Sequence, residues 1–368
     1  MIMELQMMPQ CLTQQRQFQD IMHQYIQSFK EMIDISGRWT KIIDKKSRLK
    51  IWYLPCKFAE LEFTEENNKI LVESLRTIRT RHIDTVPSMA AAVQSMEMEN
   101  GGSSMTSISI QYLLDRLYTS RISIHLLISM YQAVYKKDER LIQKTVKSDC
   151  DVMDVARNAF EDASYMCERE FQEHPELEIS GRDTTRRGVD TDNICISYVP
   201  AHLHHIFFEV FKNAMKATIE NTRKGDKEDE LPPIQCLVSK SEGDVSIRVT
   251  DQGGGISRDE VDKIWQYTYT SSSPAIRDRN VLVPGAGGLE SHAHPMHGLG
   301  YGLPLSRVYA RYFQGDLRMI SMHGLGSDVF CYLKTLSSDA KECLPKFNVS
   351  TIETFNKQNK NKISDWTL

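Results

Sequence analysis

Three motifs in the second half of the chain restrict its fold more than anything else in the sequence. The first is HLHHIFFEVFKNAMKATIE, which follows Pro200 and has helical periodicity. His205, Glu209, Lys212, Asn213 and Lys216 fall at i, i+4, i+7, i+8 and i+11, so they form one polar stripe. Leu203, Ile206, Phe207, Val210, Phe211 and Ala214 cover the remaining surface. A carboxylate, an amide and two amines on an otherwise apolar helix suit a metal-bound phosphate chain. Taken alone, the stripe reads equally well as a solvated face with i,i+4 pairs.

The second motif is VTDQGGGIS, where Asp251 ends a strand and Gly253, Gly254 and Gly255 follow. Consecutive glycines permit positive φ and let backbone approach a ligand closely. An aspartate there can accept a hydrogen bond from an exocyclic amine, although Asp-Gly alone is an ordinary turn. Ser257 and Glu260 are spaced as a capping box for a helix carrying Ile264 and Trp265. The third motif, HGLGYGLPLSRVYARYF, places Gly298, Gly300 and Gly302 before Pro304, a good first-turn residue. A glycine-rich turn entering a helix N-terminus can hold an anion. The spacing is neither that of a Rossmann fingerprint nor that of a P-loop, and the protein-kinase signature set is missing. Between the second and third motifs, about Thr268 to His297, lies a long small-residue stretch that fits a lid over a nucleotide.

The first half reads as helices. Leu71, Leu75 and Ile78 share one face after Thr64, and Glu65 and Glu66 occupy a favourable first turn. A long helix has Ile110, Leu113, Leu114, Leu117, Ile124 and Leu127 or Ile128 on its stripe. A third runs from about Asp151 to Phe171, and the three together suggest an antiparallel bundle. The stretch from about 172 to 192 is polar and glycine-broken, which predicts a domain boundary. Beyond it, alternation at Ile194, Ile196 and Tyr198, at Ile234, Cys236 and Val238, and at Val245, Ile247 and Val249 predicts strands. A hairpin is expected at Gly243, and another at Gly324-Leu325-Gly326. The second half is therefore an α+β domain with an antiparallel-rich sheet.

Composition excludes several classes. The chain has 368 residues, with 45 Lys plus Arg against 49 Asp plus Glu. That balance gives no footprint for nucleic acid. No apolar run reaches the ~20 residues of a transmembrane segment. The eight cysteines lack zinc-knuckle or redox-pair spacing and read as reduced thiols. The first 20 residues carry one basic residue, Arg16, and lack the Arg- and Ser-rich character of a transit peptide.

Taken in order, Glu209 with Asn213, then Asp251-Gly253-Gly255, then Gly298-Gly300-Gly302 resemble the N, G1 and G2 boxes of the GHKL ATPase superfamily. The resemblance implies adenine held by Asp251, Mg²⁺ ligated by Asn213, and phosphates cradled by the third motif. FEVFKNAMKATIE, GLGYGLPLSRVYARYFQGDL and GLGSDVF narrow it, as do IRTRHIDTVPSMA and QYLLDRLYTSRIS in the helical half. They resemble the mitochondrial protein kinases of the 2-oxoacid dehydrogenase complexes. The similarity runs from roughly Glu65 to Leu336, and the earlier residues match poorly. Asp365-Trp366 resembles the Asp-Trp pair in pyruvate dehydrogenase kinase tails, which the branched-chain kinase lacks.

The resemblance implies a four-helix bundle over 1–175, a histidine-kinase-like α/β-sandwich ATP domain over 185–337 and a tail over 338–368. It implies a serine kinase that inactivates the α subunit of the pyruvate decarboxylase component. Glu209 would be the general base and His205 the residue that orients it. ATP contacts would come from Asn213, Lys216, Asp251, Gly253, Gly255, Thr270, Ser271, Gly298, Leu299, Gly300, Tyr301, Gly302, Leu303 and Ser327. Mg²⁺ is the implied metal, with K⁺ a further candidate ion. The implied setting is a homodimer in the mitochondrial matrix, anchored on the lipoyl domain of the acetyltransferase core. A branched-chain dehydrogenase kinase and a nucleotide-binding regulator without kinase activity remain alternatives. His82, Arg116 and Arg121 read as structural. Gln252 departs from the family's usual arginine, Leu299 from a phenylalanine and Ser327 from a threonine. The run containing His292, His294 and His297 is also unlike the usual lid.

Overall fold

The computed structural model describes residues 1–35, 65–99, 108–136, 144–186, 189–224, 230–269, 300–335 and 342. The helical half begins with two short helices, α1 (Ile2–Gln6) and α2 (Gln10–Thr13). Four longer ones follow: α3 (Arg16–Ile35), α4 (Glu65–Arg81), α5 (Thr85–Glu99) and α6 (Ile108–Lys136). α3 packs on α4 and α5, and α4 packs on α6. On α3 the buried residues Phe18, Ile21, Tyr25 and Ser28 recur every three or four positions, which turns one stripe toward its neighbours. α5 has Met89, Ala90, Ala92, Val93 and Met96 buried, so most of its circumference is covered. The stripe expected on α6 rotates near its end. Ile122, Leu126 and Ile128 are buried there, whereas Leu127 is exposed.

The next long helix, α7 (Val152–Phe171), is where the helical periodicity puts it, and Asp151 caps it by accepting from the Met153 amide. It does not join the bundle as expected. It packs chiefly on α8 (Pro200–Thr222), and its Ala156, Ala159 and Ala163 let the two helices approach closely. Phe160 meets Phe211 edge to face at 5.3 Å between ring centroids.

A six-stranded sheet carries the second half. Its strands are β2 (Leu177–Asp183), β3 (Val189–Asp190), β5 (Ile234–Lys240), β6 (Asp244–Asp251), β7 (Asp316–Met322) and β8 (Gly326–Lys334). The order is β3-β2-β5-β6-β8-β7. The β2–β5 pair is parallel and every other pair is antiparallel. Both expected hairpins form, at 241–243 and 323–325. Two strand expectations need correction. The polar connector near 172–192 supplies β2, and β4 (Cys195–Tyr198) pairs with β1 (Lys147–Asp151) in a separate two-stranded ladder. Ile234, Cys236, Val238, Val245, Ile247, Val249, Val329, Cys331 and Leu333 are buried on one face of the sheet. α8 lies against β5 and β6, and α10 (Gly302–Tyr312) lies against β7 and β8. The opposite face leaves Ile320, Met322 and Tyr332 exposed.

Candidate active site

α8 starts at Pro200, whose missing N–H costs nothing in a first turn. Its apolar residues Leu203, Ile206, Phe207, Val210, Phe211 and Ala214 are buried as the sequence implies. The polar stripe is not a solvated face. Glu209 is 7% exposed and Lys212 4%, and their Oε2 and Nζ are 2.7 Å apart. A charge at that depth requires a partner, and the i,i+3 spacing supplies one. Glu209, Lys212, Asn213 and Lys216 line a cavity of about 410 Å³ together with Asp251, Gly253, Gly255, Gly300, Gly302, Leu303 and Ser327. The three motifs therefore enclose one space.

Asp251 ends β6 at the cavity. Its Oδ1 accepts from the Gly253 amide at 2.8 Å and from the Ser327 amide at 3.3 Å. Burial pushes its carboxyl up to about 6, against those two donors and with a contribution from Asp328. Gly253 has no room for a side chain, because an added Cβ would lie 2.4 Å from Cβ of Ala217. Gly255 has φ +66, and a Cβ there would meet the Met322 carbonyl at 2.2 Å. The turn is thus held between α8 and the β7–β8 hairpin. Asn221 strengthens it by donating from Nδ2 to the Gln252 carbonyl at 3.1 Å. Ser327, buried beside Asp251, has its hydroxyl 2.9 Å from that of Ser321.

The third motif ends at α10. A Cβ on Gly302 would fall 2.1 Å from Glu209 Oε2, so glycine lets the start of this helix back onto the carboxylate where a side chain would push it aside. Helix N-termini favour such a negative group. Thr270, Ser271, Gly298 and Leu299, with His292, His294 and His297, lie outside the described residues. His205 sits one turn before Glu209 and packs on Tyr309, with ring centroids 4.7 Å apart. Tyr301 is buried against Tyr118 and Tyr267 rather than open to the cavity. The capping box is altered. Ser257 donates to the Glu260 carboxylate at 3.1 Å, and the helix expected there shortens to α9 (Arg258–Val261) followed by a 3₁₀ turn.

Sequence reasoning missed Tyr269, Lys224 and Met319 as cavity residues. Met319 could have been found, because strand alternation puts it on the same face as Leu317 and Ser321. Tyr269 and Lys224 come from connecting segments with no periodic signal. Among the described residues no group of three or more His, Cys, Asp or Glu could cage a metal.

An amide-bearing helix, an Asp-Gly turn and a glycine-rich helix start around one cavity define a GHKL-type ATP-binding domain. The profile described as histidine kinase-, DNA gyrase B- and HSP90-like ATPase matches residues 198–337. A second profile, described as mitochondrial branched-chain alpha-ketoacid dehydrogenase kinase, matches residues 1–155. This match starts at residue 1, ahead of Glu65, where the poor similarity was expected to end. The chain is 38% identical over 315 residues to the mitochondrial pyruvate dehydrogenase (acetyl-transferring) kinase of Drosophila melanogaster, covering 82% of this chain and 72% of the relative. It is 38% identical over 309 residues to the human isozyme 3, covering 81% and 72%. Against the human isozyme 4 it is 34% identical over 330 residues, covering 87% and 75%. The chain belongs to the mitochondrial pyruvate dehydrogenase kinase family.

Proposed function

We propose that the protein is an ATP-dependent serine kinase that phosphorylates and inactivates the α subunit of the pyruvate decarboxylase component of the pyruvate dehydrogenase complex. The observation that carries this reading is Glu209, a buried carboxylate on the cavity wall, paired with Lys212 and placed against Gly302. Serine hydroxyl is a weak nucleophile and gains from a positioned base. In this reading Glu209 takes the hydroxyl proton and His205 orients it from the preceding turn. Asn213 would hold Mg²⁺, and Lys216 and the amides at the start of α10 would meet phosphate oxygens. Bound Mg²⁺ would supply charge neutralisation at the transferring phosphoryl group. Asp251 and Ser327 would read the adenine edge, and the glycines at 253 and 255 would admit it. K⁺ is proposed as an accessory ion.

The setting follows the family: the mitochondrial matrix, with the helical half on a lipoyl domain of the acetyltransferase core. A homodimer through the outer sheet face is supported by Ile320, Met322 and Tyr332, which are 65%, 63% and 43% exposed. Residues 338–368, including Asp365 and Trp366, would serve as an exchanged tail. No described helix is long and apolar enough to cross a membrane.

The test is transfer of labelled phosphate from ATP to purified pyruvate and branched-chain dehydrogenase complexes. Glu209→Ala should lower transfer to the pyruvate complex by about 10²- to 10⁴-fold while ATP still binds. Full activity in that variant would remove Glu209 from the base role. Labelling of neither complex by the wild type, with ATP bound, would overturn the kinase reading.

A further inference from the structure

One face of α6 belongs to the nucleotide site without touching its cavity. Gln111, Asp115 and Tyr118 fall at i, i+4 and i+7; all three meet Tyr267 of the second half, and Tyr118 meets Tyr301 as well. Gln111 brackets the Tyr267 backbone. Its Oε1 accepts from the Tyr267 amide at 2.9 Å, and its Nε2 lies 3.5 Å from the Tyr267 carbonyl. The Tyr267 hydroxyl donates to Asp115 Oδ1 at 2.7 Å. The Tyr118 ring is fully buried, 5.5 Å from that of Tyr267 and 6.1 Å from that of Tyr301, which are themselves 5.0 Å apart. From α5, Glu97 Oε1 stands 3.1 Å from the Thr268 hydroxyl.

What these contacts hold is strained. Thr268 has φ +71, a conformation a β-branched residue rarely adopts and keeps only where its surroundings impose it. The next residue, Tyr269, lines the cavity, and so does Gly300. Gly300 backs directly on this bend, since an added Cβ would lie 2.5 Å from the Tyr269 carbonyl oxygen. Release of Tyr267 would let Thr268 relax, and Tyr269 and Gly300 would move with it.

We infer that Gln111 and Asp115 are positioning residues for the nucleotide site, setting the cavity wall at Tyr269 and Gly300 through Tyr267 and Thr268. The inference rests on the proposed reading of the cavity as an ATP site. Affinity for ATP then depends on a helix that does not touch ATP. By linkage, ATP binding tightens the α6 face in return.

The experiment uses the full chain and measures ATP affinity by calorimetry, with hydrogen exchange of α6 amides recorded in the presence and absence of ATP. Tyr267→Phe removes one hydroxyl and keeps the ring. It should weaken ATP binding about tenfold and abolish the ATP-dependent protection of α6. Gln111→Ala with Asp115→Ala should weaken binding at least as much, and Asp115→Asn, which keeps an oxygen acceptor, should recover most of the affinity. KM for ATP should rise in these variants while KM for the protein substrate stays unchanged. Folded Tyr267→Phe that binds ATP within twofold of wild type would overturn the inference. Wild type that binds ATP without protecting α6 would overturn it too. Wild type that binds no ATP would overturn the nucleotide reading first, and this inference with it.

Discussion

At the scale of single residues, Asp251 carries the clearest pH signature. Its folded-state value of about 6 lies above the ordinary 3.8 because burial disfavours the carboxylate. Between those two values the unfolded chain releases the proton first, so stability falls as pH rises through the window and stays lower above it. A rise of about two units amounts to roughly 3 kcal/mol. Asp251→Asn should therefore raise the melting temperature at pH 7 while removing nucleotide binding. ATP affinity of the wild type should fall as pH drops below about 6, as the acceptor is protonated. Calorimetric titrations from pH 7.5 to 5 check both the direction and the midpoint, and a flat profile would contradict the assignment. The residue's chemistry was legible in the sequence, because Asp251 ends a strand and opens a glycine turn. Its burial was not, because it depends on Ser327 arriving from the β7–β8 hairpin, 76 positions away.

Among the elements, α8 was the most legible and β2 the least, and the reasons are physical. α8 declares itself through a helical period and an apolar face, and the structure fills both with core. Phe211 is fully buried against Phe160 and Phe207, at 5.3 and 5.8 Å between rings. Phe211→Ala should cost about 3–5 kcal/mol, read as a shifted midpoint in urea unfolding. A loss below about 1 kcal/mol would mean that the α7–α8 seam is looser than drawn. β2 hides because its third inward position is Gly181. A Cβ there would stand 2.4 Å from the Thr191 carbonyl and 2.5 Å from the Met153 sulfur. Close packing thus removes the apolar residue that would have completed the alternation after Leu177 and Ile179. The same logic covers α7. Its stripe identified a helix, but no local pattern says whether that stripe faces a bundle or α8.

For the molecule as a whole, the outer sheet face matters most. Ile320 and Met322 lie on β7, the last strand of the sheet, and an exposed apolar edge is a site of association unless covered. In the proposed dimer this face is covered. Ile320→Asp should then yield monomers, with the mass from light scattering halved at micromolar concentration. A dimer that survives the substitution would exclude this face. The aromatic trio of Tyr118, Tyr267 and Tyr301 belongs to this scale too. It draws on three segments far apart in sequence, each unremarkable alone, which is why pattern reading could not assemble it.

Gly300 and the Thr268–Tyr269 bend touch, and that contact bears on how the chain can vary in length. Tyr269 and Gly300, the described residues that flank positions 270–299, therefore lie side by side. Closure is already met by described residues, so the thermodynamic penalty for lengthening such a connection grows only logarithmically, by about 0.6 kcal/mol per doubling. The junction is thus a natural port for insertion. A reporter domain spliced between Tyr269 and Gly300 should then leave the midpoint of unfolding nearly unchanged.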